Sequence, residues 1–84
     1  MTIYEYMGNL GYTKHSQYPN GFEKMHNDRK ILMVFNYKEK TVSGSVGAMR
    51  LIKKQRDIDD IQEAYHIMLR DLEELTKIGL SVRS

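Results

Sequence analysis

Along the second half of the chain, Ile58, Ile61, Tyr65, Met68, Leu72 and Leu75 recur at spacings of three and four, which predicts a long amphipathic helix over 58 to 78. A shorter helix is predicted at the front, where Ile3, Tyr6, Met7 and Leu10 fall on one face. Thr2 and Glu5 have the spacing of a capping box, in which the Thr2 hydroxyl accepts from the Glu5 amide and the Glu5 carboxylate accepts from the Thr2 amide. Gly11 follows where a left-handed residue ends a helix, and it brings Tyr12 back toward Met7. Leu75, Gly79 and Leu80 repeat that ending in the long helix.

Between the helices the period falls to two. After a loop holding His15, Ser16, Gln17 and the turn-like Tyr18, Pro19, Asn20 and Gly21, Phe22 to His26 reads as a strand. Asn27 to Arg29 reads as a turn. Lys30 to Tyr37 is a second strand, whose Ile31, Met33, Phe35 and Tyr37 alternate with Leu32, Val34 and Asn36. Both of its faces are apolar near the middle, as suits the centre of a sheet. Lys38 to Lys40 turn the chain into a third strand, Thr41 to Ala48, where Gly44 and Gly47 weaken the strand or mark a bulge.

The order gives an α+β fold, αβββα: a short N-terminal helix, a three-stranded antiparallel meander, and a long C-terminal helix packed on one sheet face. Residues 1 to 80 form a single small domain, with 81 to 84 as a frayed tail. A helix over 58 to 78 would run about 31 Å against about 20 Å for a six-residue strand, so part of its stripe overhangs the sheet. Helix one, the Met49 to Ile52 connection or a second copy of the chain would cover it.

The stripe also fits a heptad, with Ile58, Tyr65 and Leu72 in one column and Ile61, Met68 and Leu75 in the other. A homodimer through these columns is the alternative to a core. In an 84-residue chain, however, the core has first claim on an apolar helix face. Ile67 lies on the opposite side, among Glu63, Arg70 and Glu74, and these four residues are the candidate protein-binding site.

Charge polarises the chain. Residues 1 to 56 hold ten bases against four acids, whereas Asp57 to Leu80 holds seven acids against Arg70 and Lys77. Four bases, Arg50, Lys53, Lys54 and Arg56, fall within seven residues and are the candidate nucleic-acid-binding site, which Lys24, Arg29, Lys30, Lys38 and Lys40 would extend. Tyr12, Tyr18 and Tyr37 are candidate stacking partners for bases. The alternative reading is a solvated connection leading into a helix whose acids favour its positive end.

No cysteine is present, so no disulfide, thiolate metal site or thiol nucleophile exists, and an intracellular, cytoplasmic setting is expected. The longest apolar run, Ile31 to Phe35, is too short to cross a bilayer, and the N-terminus reads as helix rather than signal peptide. No membrane partner is expected. The chemistry inventory is thin: His15 lies in a loop, His26 and Asp28 flank a turn, and Glu63 with His66 is one copy of a Glu-x-x-His spacing that needs a second copy to hold two metal ions. The glycines form no phosphate-binding loop. The expectation is a protein that is not an enzyme, with no catalytic residue, metal, cofactor or small-molecule substrate.

The helix, three strands, helix order resembles the double-stranded-RNA-binding domain. That family carries a lysine cluster at the start of its last helix and a Gly-Pro-x-His type loop; here Asp57, Asp59 and Asp60 stand at the helix start and the loop is missing, so no residue is carried over. The functional expectation is therefore a small protein-binding module. Its size and composition suit a phage or mobile-element accessory protein, such as an anti-CRISPR-type inhibitor, with the acidic helix imitating nucleic acid toward a basic groove. A nucleic-acid-binding module using Arg50 to Arg56 is the alternative.

Overall fold

A computed structural model describes residues 2–55, 60–77 and 79–80. Helix α1 (Ile3–Asn9) leads into strands β1 (Thr13–Lys14), β2 (Gly21–His26), β3 (Arg29–Asn36), β4 (Thr41–Val46) and β5 (Met49–Lys54), and helix α2 (Ile61–Thr76) follows. The strands form one sheet in the order β1-β2-β3-β4-β5, each antiparallel to its neighbours. The fold is α+β, and its meander has five strands rather than the three expected.

The two added strands have different causes. β1 is two residues long, too short to show a period, and it is held by its pairing of Thr13 with Glu23 and Lys14 with Phe22. β5 arises because the expected third strand stops two residues early. Gly47, at φ +58°, opens a two-residue turn with Ala48, which pairs Val46 with Met49 and sends the supposed basic connection back along β4. The β2–β3 turn uses the same device: Asn27 and Asp28 both have positive φ, 48° and 67°. With five strands, the αβββα order of the double-stranded-RNA-binding domain no longer describes the chain.

Helix α1 has the expected capping box, with the Glu5 amide donating to Thr2 Oγ1 at 3.2 Å. Helix α2 is shorter than 58 to 78. Asp60 is its N-cap, its carboxylate accepting from the Glu63 amide at 3.1 Å, and the expected helical residue Ile58 lies outside the described residues together with Asp57 and Asp59. Its end is not at Gly79. Lys77 takes the left-handed conformation at φ 60°, and its amide donates to the Glu73 carbonyl. The tail 81–84 also lies outside the described residues.

Most of the helical stripe goes into the core. Ala64, Tyr65, Met68, Leu69 and Leu72 of α2 are buried against Ile31, Met33, Phe35, Val42 and Val46 of the sheet. The buried band is broader than the two heptad columns, and Leu75 of those columns is 41% exposed, so the buried part closes the domain and Leu75 stays at its surface. Gly44 is neither a bulge nor a weakness. A Cβ there would lie 2.8 Å from Leu72 Cδ1 and 2.9 Å from Met68 Sδ, so the missing side chain is what lets α2 lie down on β4.

Polar contacts fasten the margins. Gln55, buried just after β5, donates from Nε2 to the Ala64 carbonyl at 3.2 Å and joins the sheet to the first turn of α2. Tyr12 and Tyr65 share a buried hydrogen bond of 3.2 Å, and Lys24 donates to the Leu10 carbonyl at 2.9 Å while lying over the Tyr12 ring.

Candidate interaction surface

Strand alternation assigns each side chain to one of two faces. Phe22, Ile31, Met33, Phe35, Val42 and Val46 point to the helices, so their neighbours point to the other face, on which neither helix packs. There the register lines up Leu32 with Ser45 and Arg50, Val34 with Ser43 and Ile52, and Asn36 with Thr41 and Lys54. These residues other than Lys54, together with Tyr18, line a depression of about 540 Å³. Leu32 and Val34 are half-buried and Ile52 is 58% exposed.

The basic residues are divided by the same alternation. Arg50 and Lys54 lie on the open face, whereas Lys53 points to the helix side and pairs with Asp71 at 2.7 Å. Arg56 lies outside the described residues. The proposed extension is divided too: Lys24 is tied to the Leu10 carbonyl, and Lys30 lies 3.7 Å from Glu23. Lys38 and Lys40 flank the β3–β4 turn and border a second depression with Lys54. Of the candidate stacking tyrosines, Tyr12 is buried, Tyr37 is half-buried against the core and Tyr18 is exposed on the open face.

Glu63, Ile67, Arg70 and Glu74 share one side of α2, away from the sheet, with Ile67 half-buried and the other three exposed. The neighbouring acids each have a structural partner. Asp60 caps the helix, Asp71 pairs with Lys53, and Glu73 accepts from the Leu80 amide at 2.9 Å. Glu63 and Glu74 remain there, with Arg70 between them.

Titratable side chains meet at the core margin and around Glu23 of β2. Burial raises the phenol pKa of Tyr12, Tyr65 and Tyr6. The Tyr6 hydroxyl lies 3.3 Å from His66 Nε2. His15 and Lys30 both approach Glu23 Oε2 at 3.7 Å. Among the described residues no three His, Cys, Asp or Glu side chains gather into a metal-holding group, and no helix is long and apolar enough to cross a membrane.

Sequence reasoning missed the open face as a set of named residues because it depends on β5. The available signal was Gly47 beside Ala48, a turn-forming pair that places Arg50, Ile52 and Lys54 opposite Ser45, Ser43 and Thr41. Comparison with protein-family models, with curated proteins and with solved structures gives no match.

Proposed function

We propose that this chain is a small protein-binding module that docks through the open face of its sheet. The observation that carries the reading is the aliphatic set Leu32, Val34 and Ile52, facing away from the helices and bordered by Arg50 and Lys54. Leu32 and Val34 on β3 and Ile52 on β5 flank Ser43 and Ser45 of β4 on a face that neither helix covers, and aliphatic side chains gathered on one open face support a partner surface. The partner surface would be acidic around an apolar centre. Such docking acts by covering the partner, which suits an accessory inhibitor of a host protein, and an adjacent phage or defence gene cluster would support that role.

The test is capture and reconstitution with the purified partner. Val34→Lys and Leu32→Lys should abolish a stoichiometric complex while Glu63→Lys with Glu74→Lys leaves it intact. A complex indifferent to the sheet variants and lost in the helix variants would move the site to α2.

Nucleic-acid binding is the second reading, favoured by Lys38, Lys40 and Lys54 around one depression at the end of the sheet. It predicts a salt-sensitive shift of labelled DNA or RNA that Lys54→Glu abolishes. The open face offers Tyr18 as its one aromatic ring among the described residues, with aliphatic, hydroxyl and amide side chains and the acid Glu39 as well as Arg50, which fits a protein surface better than a row of bases.

A further inference from the structure

β5 ends the sheet: it pairs with β4 on one side and has no strand on the other among the described residues. The Gln55 amide donates to the Lys40 carbonyl at 2.8 Å and extends the β4–β5 ladder. By antiparallel alternation, residues 49, 51, 53 and 55 turn their main-chain groups toward β4, and Arg50, Ile52 and Lys54 turn theirs outward. The same three residues carry their side chains on the open face. The edge is also held in place, since Lys53 ties β5 to Asp71 of α2 and Gln55 ties its end to Ala64.

We infer that this edge takes up an extended acidic segment of a partner protein by strand addition, with Arg50 and Lys54 selecting acidic side chains on either side of an aliphatic residue beside Ile52. The inference rests on the protein-binding reading and gives it a recognition mode. An added strand would satisfy the outward N–H and C=O groups, and its alternate side chains would sit beside Arg50, Ile52 and Lys54. Charge selects the occupant. Two copies of β5 paired antiparallel about Ile52 would set Arg50 against Lys54 twice, and like charges directly opposite are destabilising. Basic side chains on an edge strand protect it against self-pairing in general. A segment of the pattern acid, any, aliphatic, any, acid reverses the sign of both contacts.

The probes are a peptide built around Glu-Thr-Val-Thr-Glu, its Lys-Thr-Val-Thr-Lys counterpart and a short single-stranded oligonucleotide, each titrated into the whole chain at low salt and followed by amide NMR. The acidic peptide should bind and slow hydrogen exchange at the amides of Arg50, Ile52 and Lys54. Ile52→Pro removes an outward donor without removing a β4 bond, and it should weaken binding about tenfold or more with the melting transition retained. Arg50→Glu with Lys54→Glu should switch the preference to the lysine peptide, a reversal that misfolding cannot produce. The inference is overturned if the acidic peptide fails to bind, if it binds without protecting those amides, if the oligonucleotide alone protects them, or if protection grows with protein concentration alone. Should peptides fail at the edge while Val34→Lys still abolishes partner capture, strand addition falls and the protein-binding reading stands.

Discussion

Lys53 Nζ sits 2.7 Å from Asp71 Oδ2, a contact made possible by the strand alternation that turns Lys53 to the helix side of β5. That alternation removes Lys53 from the basic run and leaves Arg50 and Lys54 together on the opposite face. The Asp71 side chain is only 13% exposed, so losing its cation leaves a carboxylate largely out of water. Lys53→Met should cost about 1–3 kcal/mol in urea unfolding. It should leave binding at the open face unchanged, because no side chain on that face is altered.

Gly44 supports the same helix from beneath. Gly44→Ala places a methyl within 3 Å of Leu72 and Met68, so either α2 lifts or both side chains leave their rotamers. The expected loss is about 1–3 kcal/mol, read by chemical denaturation, with Gly44→Val worse. A neutral result would mean that Leu72 and Met68 repack around the methyl at no net cost.

How much of this was legible in the sequence depends on how local each signal is. The Thr2–Glu5 capping box and the alternation of Ile31, Met33 and Phe35 act within a few residues, and both were readable. β5 was not, because Val42 and Val46 alternate smoothly into Gly47 and Ala48, and Met49 to Lys54 mixes apolar and basic residues without a clean period. The site suffered for the same reason: dividing Arg50 and Lys54 from Lys53 requires knowing that the segment is a strand. Leu69 joined the core although it lies outside the heptad columns, since a flat sheet accepts a wider helical band than a partner helix does.

The end of α2 offers a stabilising change. Lys77 holds φ 60°, a region in which a Cβ is unfavourable and glycine is not. Lys77→Gly should therefore raise stability by up to about 1 kcal/mol, seen as a higher melting temperature. A fall in melting temperature would show that the Lys77 side chain makes a stabilising contact that outweighs its backbone cost.

Alkaline pH should unfold the chain by way of its buried tyrosines. Burial raises Tyr12, and the hydrogen bond to Tyr65 raises it further, whereas at Tyr65 that bond offsets part of the rise from burial. Each folded-state pKa lies above the unfolded value of about 10, so the stabilisation is complete below about pH 10 and is lost as pH climbs beyond it. Urea midpoints should be flat from neutrality to about pH 9 and fall above about pH 10, with a shallower fall in Tyr12→Phe. An equally steep fall in that variant would assign the alkaline transition to other groups.

The docking face is tested most directly by methyl NMR of the chain in complex with its purified partner. The methyls of Leu32, Val34 and Ile52 should shift or broaden on binding, while those of Ile67 on the far side of α2 stay unchanged. Perturbation of Ile67 with the three sheet residues unmoved would contradict the account.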